Sequence, residues 1–308
     1  MIRPLMMQRK NHWAWRYFRG THAALWGLFG VFWPAIGVAA ESSTAAADGM
    51  AFAGVARPWG AGARSTAAMS LLPGYAAHGD LALDGSGARV GAVVMERRVE
   101  TPMGVWASWT RDSGNASASG PLVPGWVVPG EEDVENFVVD STAALGVGAA
   151  VLEDRLAIGI SGSYQKVTSE LSDAQKAFDM DASTAVQVGD GLTLTAVGRS
   201  LLPTGEKDRW GEAGLWWEAS KVLGLGLDGT WKDDWYGFRA GAEGRIGGEL
   251  ALRGGYAIHG GQHRAGAGIG VMNESGRLDY AFAVVPIGSE SGAMFHTLGV
   301  TLNLATLR

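Results

Sequence analysis

Apolar residues alternate with small or polar residues through most of the chain after residue 75. In the stretch GRLDYAFAVVPIG, residues 276–288, large apolar side chains hold the even positions from Leu278 to Val284, and small or acidic ones hold the odd positions. Successive side chains of a β-strand leave opposite faces, so this period predicts a strand with one apolar face. That face points to the core of a soluble sandwich, or to the lipid around an outer-membrane barrel.

About thirteen such runs follow one another between residues 88 and 304, and residues 76–84 are a candidate fourteenth. Many are close to the length of a barrel strand, roughly 9 to 11 residues, whereas sandwich strands average about 5 or 6. Tight turns, expected at 189–191, near Gly224 and at Gly247-Gly248, alternate with longer connections such as 112–136. The pattern predicts an all-β fold, an antiparallel transmembrane β-barrel of about 12 to 14 strands.

The weaker parity of these runs carries Gly, Ala, Ser and Thr with scattered charges, rather than many Lys and Glu. We interpret this parity as a crowded or wet lumen; the alternative is the solvated face of a soluble protein. Opposite charges on neighbouring strands can pair across such a lumen. The candidate lumen-lining residues are Arg239, Glu243, Arg245, Arg253 and Asp279. Trp106 and Trp109 have opposite parity, so only one of them can face lipid.

The first forty residues have the order of a secretory signal peptide. Basic residues precede an apolar stretch at 23–40, which ends in Val38-Ala39-Ala40. This order predicts cleavage after Ala40. A membrane-anchor helix is the alternative, but the apolar run is short for a span and contains Pro34.

The remaining chain divides into two parts. Residues 41–74 form an N-terminal segment, with a short helix expected between 61 and 74, and are a candidate plug of the lumen. Residues 75–308 form the barrel, and no shift in composition marks a further domain.

Composition excludes several function classes. The net charge is −6 at pH 7, and it becomes more negative without the signal peptide, so nucleic-acid binding is not expected. The chain has no cysteine, which excludes disulfides, thiol nucleophiles and thiolate metal sites. No stretch after the signal approaches the length of a transmembrane helix, so membrane insertion requires a closed barrel.

Candidate chemistry is sparse. His259 and His263 flank Gly-Gly-Gln in an expected turn, but two histidines without a nearby carboxylate are weak grounds for a metal site. His296 is a possible partner for a nucleophilic serine, yet no motif selects one. We therefore expect no catalytic residue, no metal and no cofactor, and a protein that is not an enzyme.

Two regions resemble the FadL-type outer-membrane transporters and, more closely, the PorV-like proteins related to them. The first is GARSTAAMSLLPGYAAHGDLAL, residues 62–83, and the second spans residues 235–304 with the strand segments LALRGGY, AGAGIG and LDYAFA. The resemblance implies a barrel of 12 to 14 strands with a partly filled lumen, and it implies no particular substrate.

Two functions in the outer membrane of a Gram-negative-type cell are consistent with these patterns. The first is a channel or hydrophobic-solute transporter. The second is a closed-lumen structural or accessory barrel for secretion or surface assembly, with Trp126 in the apolar LVPGWVV of a long loop as a partner contact. A soluble periplasmic β-protein is a third alternative. The expected partners are outer-membrane lipid, the barrel-assembly machinery, and small hydrophobic solutes or a secretion partner.

Overall fold

The computed structural model describes residues 65–71, 74–83, 87–97, 102–115, 137–152, 155–169, 174–202, 209–232, 235–259, 262–285 and 293–303. Within these ranges the chain forms one short helix, α1 (Thr66–Ser70), and fourteen strands. The strands are β1 (Gly74–Leu83), β2 (Gly87–Arg97), β3 (Met103–Asn115), β4 (Phe137–Val151), β5 (Leu156–Ser169), β6 (Gln175–Val188), β7 (Leu192–Arg199), β8 (Trp210–Ser220), β9 (Leu223–Lys232), β10 (Trp235–Ile246), β11 (Leu250–His259), β12 (Gln262–Met272), β13 (Gly276–Val285) and β14 (Ala293–Asn303). Across these ranges, no helix is long and apolar enough to cross a membrane.

The strands close into a single antiparallel barrel. Each strand pairs with its neighbours in sequence, and β1 pairs with β14 from Ala76 opposite Asn303 to Leu83 opposite His296. The predicted antiparallel barrel of 12 to 14 strands is therefore confirmed, and the candidate run at 76–84 is its first strand. The helix expected between 61 and 74 is α1.

The two rims of the barrel differ. One rim, here called the terminal rim, is where β1 begins, β14 ends, and short connections such as 189–191, 221–222 and 247–249 lie. The opposite rim, here called the loop rim, carries the longer connections, including 116–136 and 200–209. The strands β3 to β6, of 13 to 15 residues, are longer than β7 with 8.

The tight turns predicted at 189–191 and at Gly247-Gly248 lie at the expected positions. Gly247 and Gly248 have φ of 62° and 80°, a left-handed backbone that disfavours larger residues. The turn expected near Gly224 is instead at Lys221 and Val222, and Gly224 lies within β9. Glycine at position 224 makes room for a neighbouring side chain rather than forming a turn, because a Cβ atom there would collide with the indole ring of Trp216.

The alternating pattern separates the two faces of the wall. Large apolar side chains such as Leu278 and Tyr280 are exposed on the outside, while Asp279 between them is buried inside. Neighbouring tryptophans are sorted in the same way, since Trp216 is buried and Trp217 is exposed. An apolar exterior that encircles a whole barrel is suited to lipid and not to water.

Candidate functional site in the barrel lumen

An ion-pair cluster lies inside the barrel near the terminal rim. Glu243 on β10 accepts hydrogen bonds from Arg245 Nε at 3.0 Å, Arg253 Nε at 2.8 Å and Arg277 Nη2 at 3.2 Å. Asp279 accepts from Arg277 Nε at 2.7 Å and lies 2.9 Å from Arg253 Nη1. We call these five residues the terminal-rim cluster. The side chains of Glu243 and Arg253 are both 0% exposed, so water does not share these contacts.

The local sequence explains how the cluster forms. Glu243 and Arg253 are directly opposite each other on β10 and β11, and Asp279 is two strands beyond Arg253, on β13 across β12. Gly270 on β12 is directly opposite Asp279, and a Cβ atom there would meet both the Asp279 carboxylate and the Arg253 guanidinium. The missing side chain at Gly270 therefore lets Arg253 reach over β12 to Asp279.

A second cluster lies nearer the loop rim. Glu212 on β8 accepts hydrogen bonds from Arg199 Nη2 at 3.0 Å and from Arg239 Nη1 at 2.6 Å. Arg199 also donates through Nη1 to Asp181 on β6 at 2.9 Å. We call these four residues the loop-rim cluster. Glu212 is fully buried, so its two arginine partners balance a charge that water cannot reach.

The structure brings four of the five predicted lumen residues, Glu243, Arg245, Arg253 and Asp279, into the terminal-rim cluster, and it places Arg239 in the loop-rim cluster. Sequence reasoning missed Arg277, Arg199 and Glu212. Arg277 has the same parity as Asp279, two positions before it, so the alternation that selected Asp279 also selects Arg277. The partners on β7 and β8 follow only from the register of those strands.

Helix α1 packs inside the barrel against the other side of the wall. It is capped by Ser65, whose side-chain oxygen accepts a hydrogen bond from the Ala68 amide at 3.2 Å. The Ala67 amide donates to Ser183 Oγ on β6 at 3.0 Å, and Trp106 Nε1 on β3 donates to Thr66 Oγ1 at 3.0 Å. All residues of the helix are buried.

Small residues on the wall make room for this helix. A Cβ atom at Gly148 would collide with Ser70 Oγ, and one at Gly159 would lie 2.7 Å from the Ala67 nitrogen. At Gly146 an added Cβ would collide with the indole ring of Trp106, so the missing side chain leaves room for this ring, which donates a hydrogen bond to the helix. Helix and wall therefore fit each other through missing side chains on β4 and β5.

The inner wall of β3 to β6 is acidic toward the loop rim. Asp112 and Asp179 are buried there, and Gln165 Nε2 donates to Asp140 Oδ2 at 2.7 Å. Arg89 Nε on β2 lies 4.0 Å from Asp112 Oδ1.

Two of the described histidines pair with tyrosines. Across the described ranges, no group of three or more His, Asp or Glu side chains is placed to hold a metal ion. Tyr280 pairs with His296 Nδ1 at 2.7 Å, and Tyr256 pairs with His263 Nδ1. The predicted cleavage site at Ala40, the loop residue Trp126 and most of segment 41–74 lie outside the described residues.

Comparisons with known proteins agree on the architecture. No protein-family model matches the chain, and no curated protein matches it. Among solved structures, it is similar to the Ralstonia pickettii toluene transporter TbuX, with a TM-score of 0.62, 12% identity, and coverage of 86% of this chain and 99% of that one. It is also similar to the CymD monoaromatic hydrocarbon channel, with a TM-score of 0.61, 11% identity, and coverage of 86% and 98%. A third similar structure is the Pseudomonas putida toluene transporter TodX, with a TM-score of 0.59, 10% identity, and coverage of 85% of this chain and 97% of that one.

These similarities establish the fold. The neighbours are named as toluene transporters and a monoaromatic hydrocarbon channel, and at 10 to 12% identity they share with this chain the barrel fold, which the FadL-type resemblance also implies. The PorV-like part has no matching family model.

Proposed function

We propose that this protein is a gated outer-membrane channel that passes small hydrophobic solutes. The observation that carries the proposal is the filling of the lumen near the terminal rim, where α1 packs on β3 to β7 and the terminal-rim cluster lies on β10 to β13. The solved structures with this fold, named for toluene or monoaromatic hydrocarbons, support the choice of solute.

For a solute to pass through the lumen near the terminal rim, either α1 or the terminal-rim cluster has to move. The terminal-rim cluster is held by buried charges, and breaking one such pair costs about 3 to 5 kcal/mol. Helix α1 is held by uncharged hydrogen bonds, each worth about 1 kcal/mol. We therefore assign the gate to α1 and a fixed, structural part to the cluster.

Single-channel conductance of the refolded chain in a planar bilayer tests the proposal, using only protein with heat-modifiable migration on a gel. We expect brief discrete openings, with a preference for cations because the inner wall of β3 to β6 is acidic toward the loop rim. Added toluene should reduce the ionic current by occupying the same path. A variant with α1 displaced, Gly148→Val, should open more often.

A second candidate is the closed accessory barrel. The complete burial of Glu243 and Arg253 favours it, because these side chains fill a space that an open pore would leave to water. Silence from folded wild-type protein and from folded Gly148→Val would support this alternative. If deletion of residues 116–136 removes the partners captured in a pull-down, the loop that contains Trp126 would be assigned as the partner-binding surface.

A further inference from the structure

Charges on the four longest strands are sorted by face. The strands β3 to β6 carry three basic residues, Arg111, Lys166 and Lys176, and all three are exposed on the outward parity. The same strands carry four acidic residues, and these have the inward parity: Asp112, Asp140, Asp179 and Asp181. The outer face of this part of the wall is therefore purely cationic near the loop rim.

The register aligns these cations in one row. Arg111 on β3 is directly opposite Ser141 on β4, Ser141 is opposite Lys166 on β5, and Lys166 is opposite Lys176 on β6. We call these four residues the outer basic row. Neighbouring strands are about 4.8 Å apart, so the row spans roughly 15 Å. The side chains of its three cations form no ion pair with any described residue.

Two lysines directly opposite each other repel, and like charges in this position destabilise a sheet. The pair Lys166 and Lys176 lies on the outer face with no acidic side chain near it on these strands. An anion bound between them would remove this repulsion. The Ser141 hydroxyl, between Arg111 and Lys166, is an additional hydrogen-bond donor for such an anion.

An aromatic row fixes the height of the basic row. Two residues nearer the terminal rim, the outward side chains in register are Trp109, Ala143, Tyr164 and Phe178. The three aromatic side chains are exposed on the wall. Aromatic side chains mark the boundary between hydrocarbon and headgroups in transmembrane barrels. Two residues along a strand are about 7 Å, which places the basic row among the headgroups.

We propose that the outer basic row binds a phosphate-bearing lipid of the leaflet at the loop rim, with the phosphate between the cations and the acyl chains along the aromatic row. Lysine and arginine side chains are the common ligands of lipid phosphates, and serine donates a hydrogen bond to them. The inference uses the outer-membrane placement from the proposed function, and it is independent of whether the lumen opens.

Native mass spectrometry of the refolded chain tests this, with diphosphoryl lipid A as the probe and the same lipid without phosphates as its comparison. We expect retained adducts of the phosphorylated lipid only, and weaker retention at high salt. The combined variant Arg111→Gln, Lys166→Gln, Lys176→Gln should lose about tenfold or more in affinity. The charge-preserving variant Lys166→Arg, Lys176→Arg should keep it.

A matched control removes two cations from the terminal rim, Arg155→Gln with Lys221→Gln, and should bind like wild type. Equal binding of the dephosphorylated lipid, or unchanged binding by the triple glutamine variant, would overturn the proposal. If the triple variant fails to fold, the comparison of the two lipids and the salt dependence on wild-type protein still decide the question. Inorganic phosphate competing as well as the lipid would also contradict a lipid site. A conductance failure leaves all these results unaffected.

Discussion

The two sides of the lumen near the terminal rim are filled by opposite means. On β3 to β7, a short helix packs on glycines and is held by uncharged hydrogen bonds. On β10 to β13, two carboxylates and three arginines from the wall itself fill the space. The helix belongs to a segment that precedes the barrel, so it can leave without breaking the sheet. The terminal-rim cluster cannot leave, because its side chains belong to the strands of the barrel wall.

The largest effect is expected from neutralising the centre of the cluster. Glu243→Gln keeps the size of the side chain but removes the negative charge that faces three arginines. The positive charge of Arg253 then stays buried with only part of its neutralising negative charge. We expect about 3 kcal/mol or more of lost stability against urea unfolding, followed by tryptophan fluorescence. Arg245→Gln is the control, since Arg245 is partly exposed and its loss should cost clearly less. Equal losses would mean that burial does not set the strength of the cluster.

A clash beneath the helix should have the next largest effect. Gly148→Val places methyl groups where Ser70 lies, and overpacking of this kind costs about 1 to 3 kcal/mol. Because α1 is the part that can move, we expect faster proteolysis before β1 and more frequent channel opening, with heat-modifiable migration retained. Gly254→Val is the control, since a Cβ atom at Gly254 meets no neighbour. Unchanged proteolysis in folded Gly148→Val would contradict a detachable helix.

A smaller loss of stability is expected when the barrel wall loses the hydroxyl that accepts a hydrogen bond from the Ala67 amide of α1. Ser183→Ala leaves the buried Ala67 N–H without its acceptor, which costs about 1 to 2 kcal/mol. The cost should appear as easier release of α1, measured by proteolysis, with little change in unfolding of the barrel. Ser183→Thr keeps a hydroxyl and serves as the control. A loss confined to barrel unfolding would show that Ser183 supports the wall rather than the helix.

The smallest effect concerns the indole contact. Trp106→Phe removes the hydrogen bond to Thr66 Oγ1 but keeps an aromatic ring above Gly146, so the expected loss is about 0.5 to 1.5 kcal/mol. A double-mutant cycle with Thr66→Val isolates the pair from other changes. Coupling near zero would mean that ring packing, rather than the hydrogen bond, holds the helix here.

The sequence predicted the barrel well because a period of two leaves its mark on every strand. Leu278, Tyr280 and Asp279 could be assigned to their faces from parity alone, since one slip of register reverses both faces at once. The contact between Arg239 and Glu212 could not be predicted, because it depends on the register of β9 against both β8 and β10. The turn was predicted too close to Gly224, because a glycine that makes room for a tryptophan ring cannot be distinguished in sequence from a glycine in a turn.

The seam between β1 and β14 has a consequence for how the protein is made. Its register joins Ala76 to Asn303, residues near opposite ends of the barrel sequence. Until the last strand arrives, β1 has an edge of unsatisfied amides and carbonyls, which hydrocarbon does not tolerate. Joining such distant segments also carries a large loop-closure entropy and slows folding. The barrel can therefore be completed only after its whole length has been delivered.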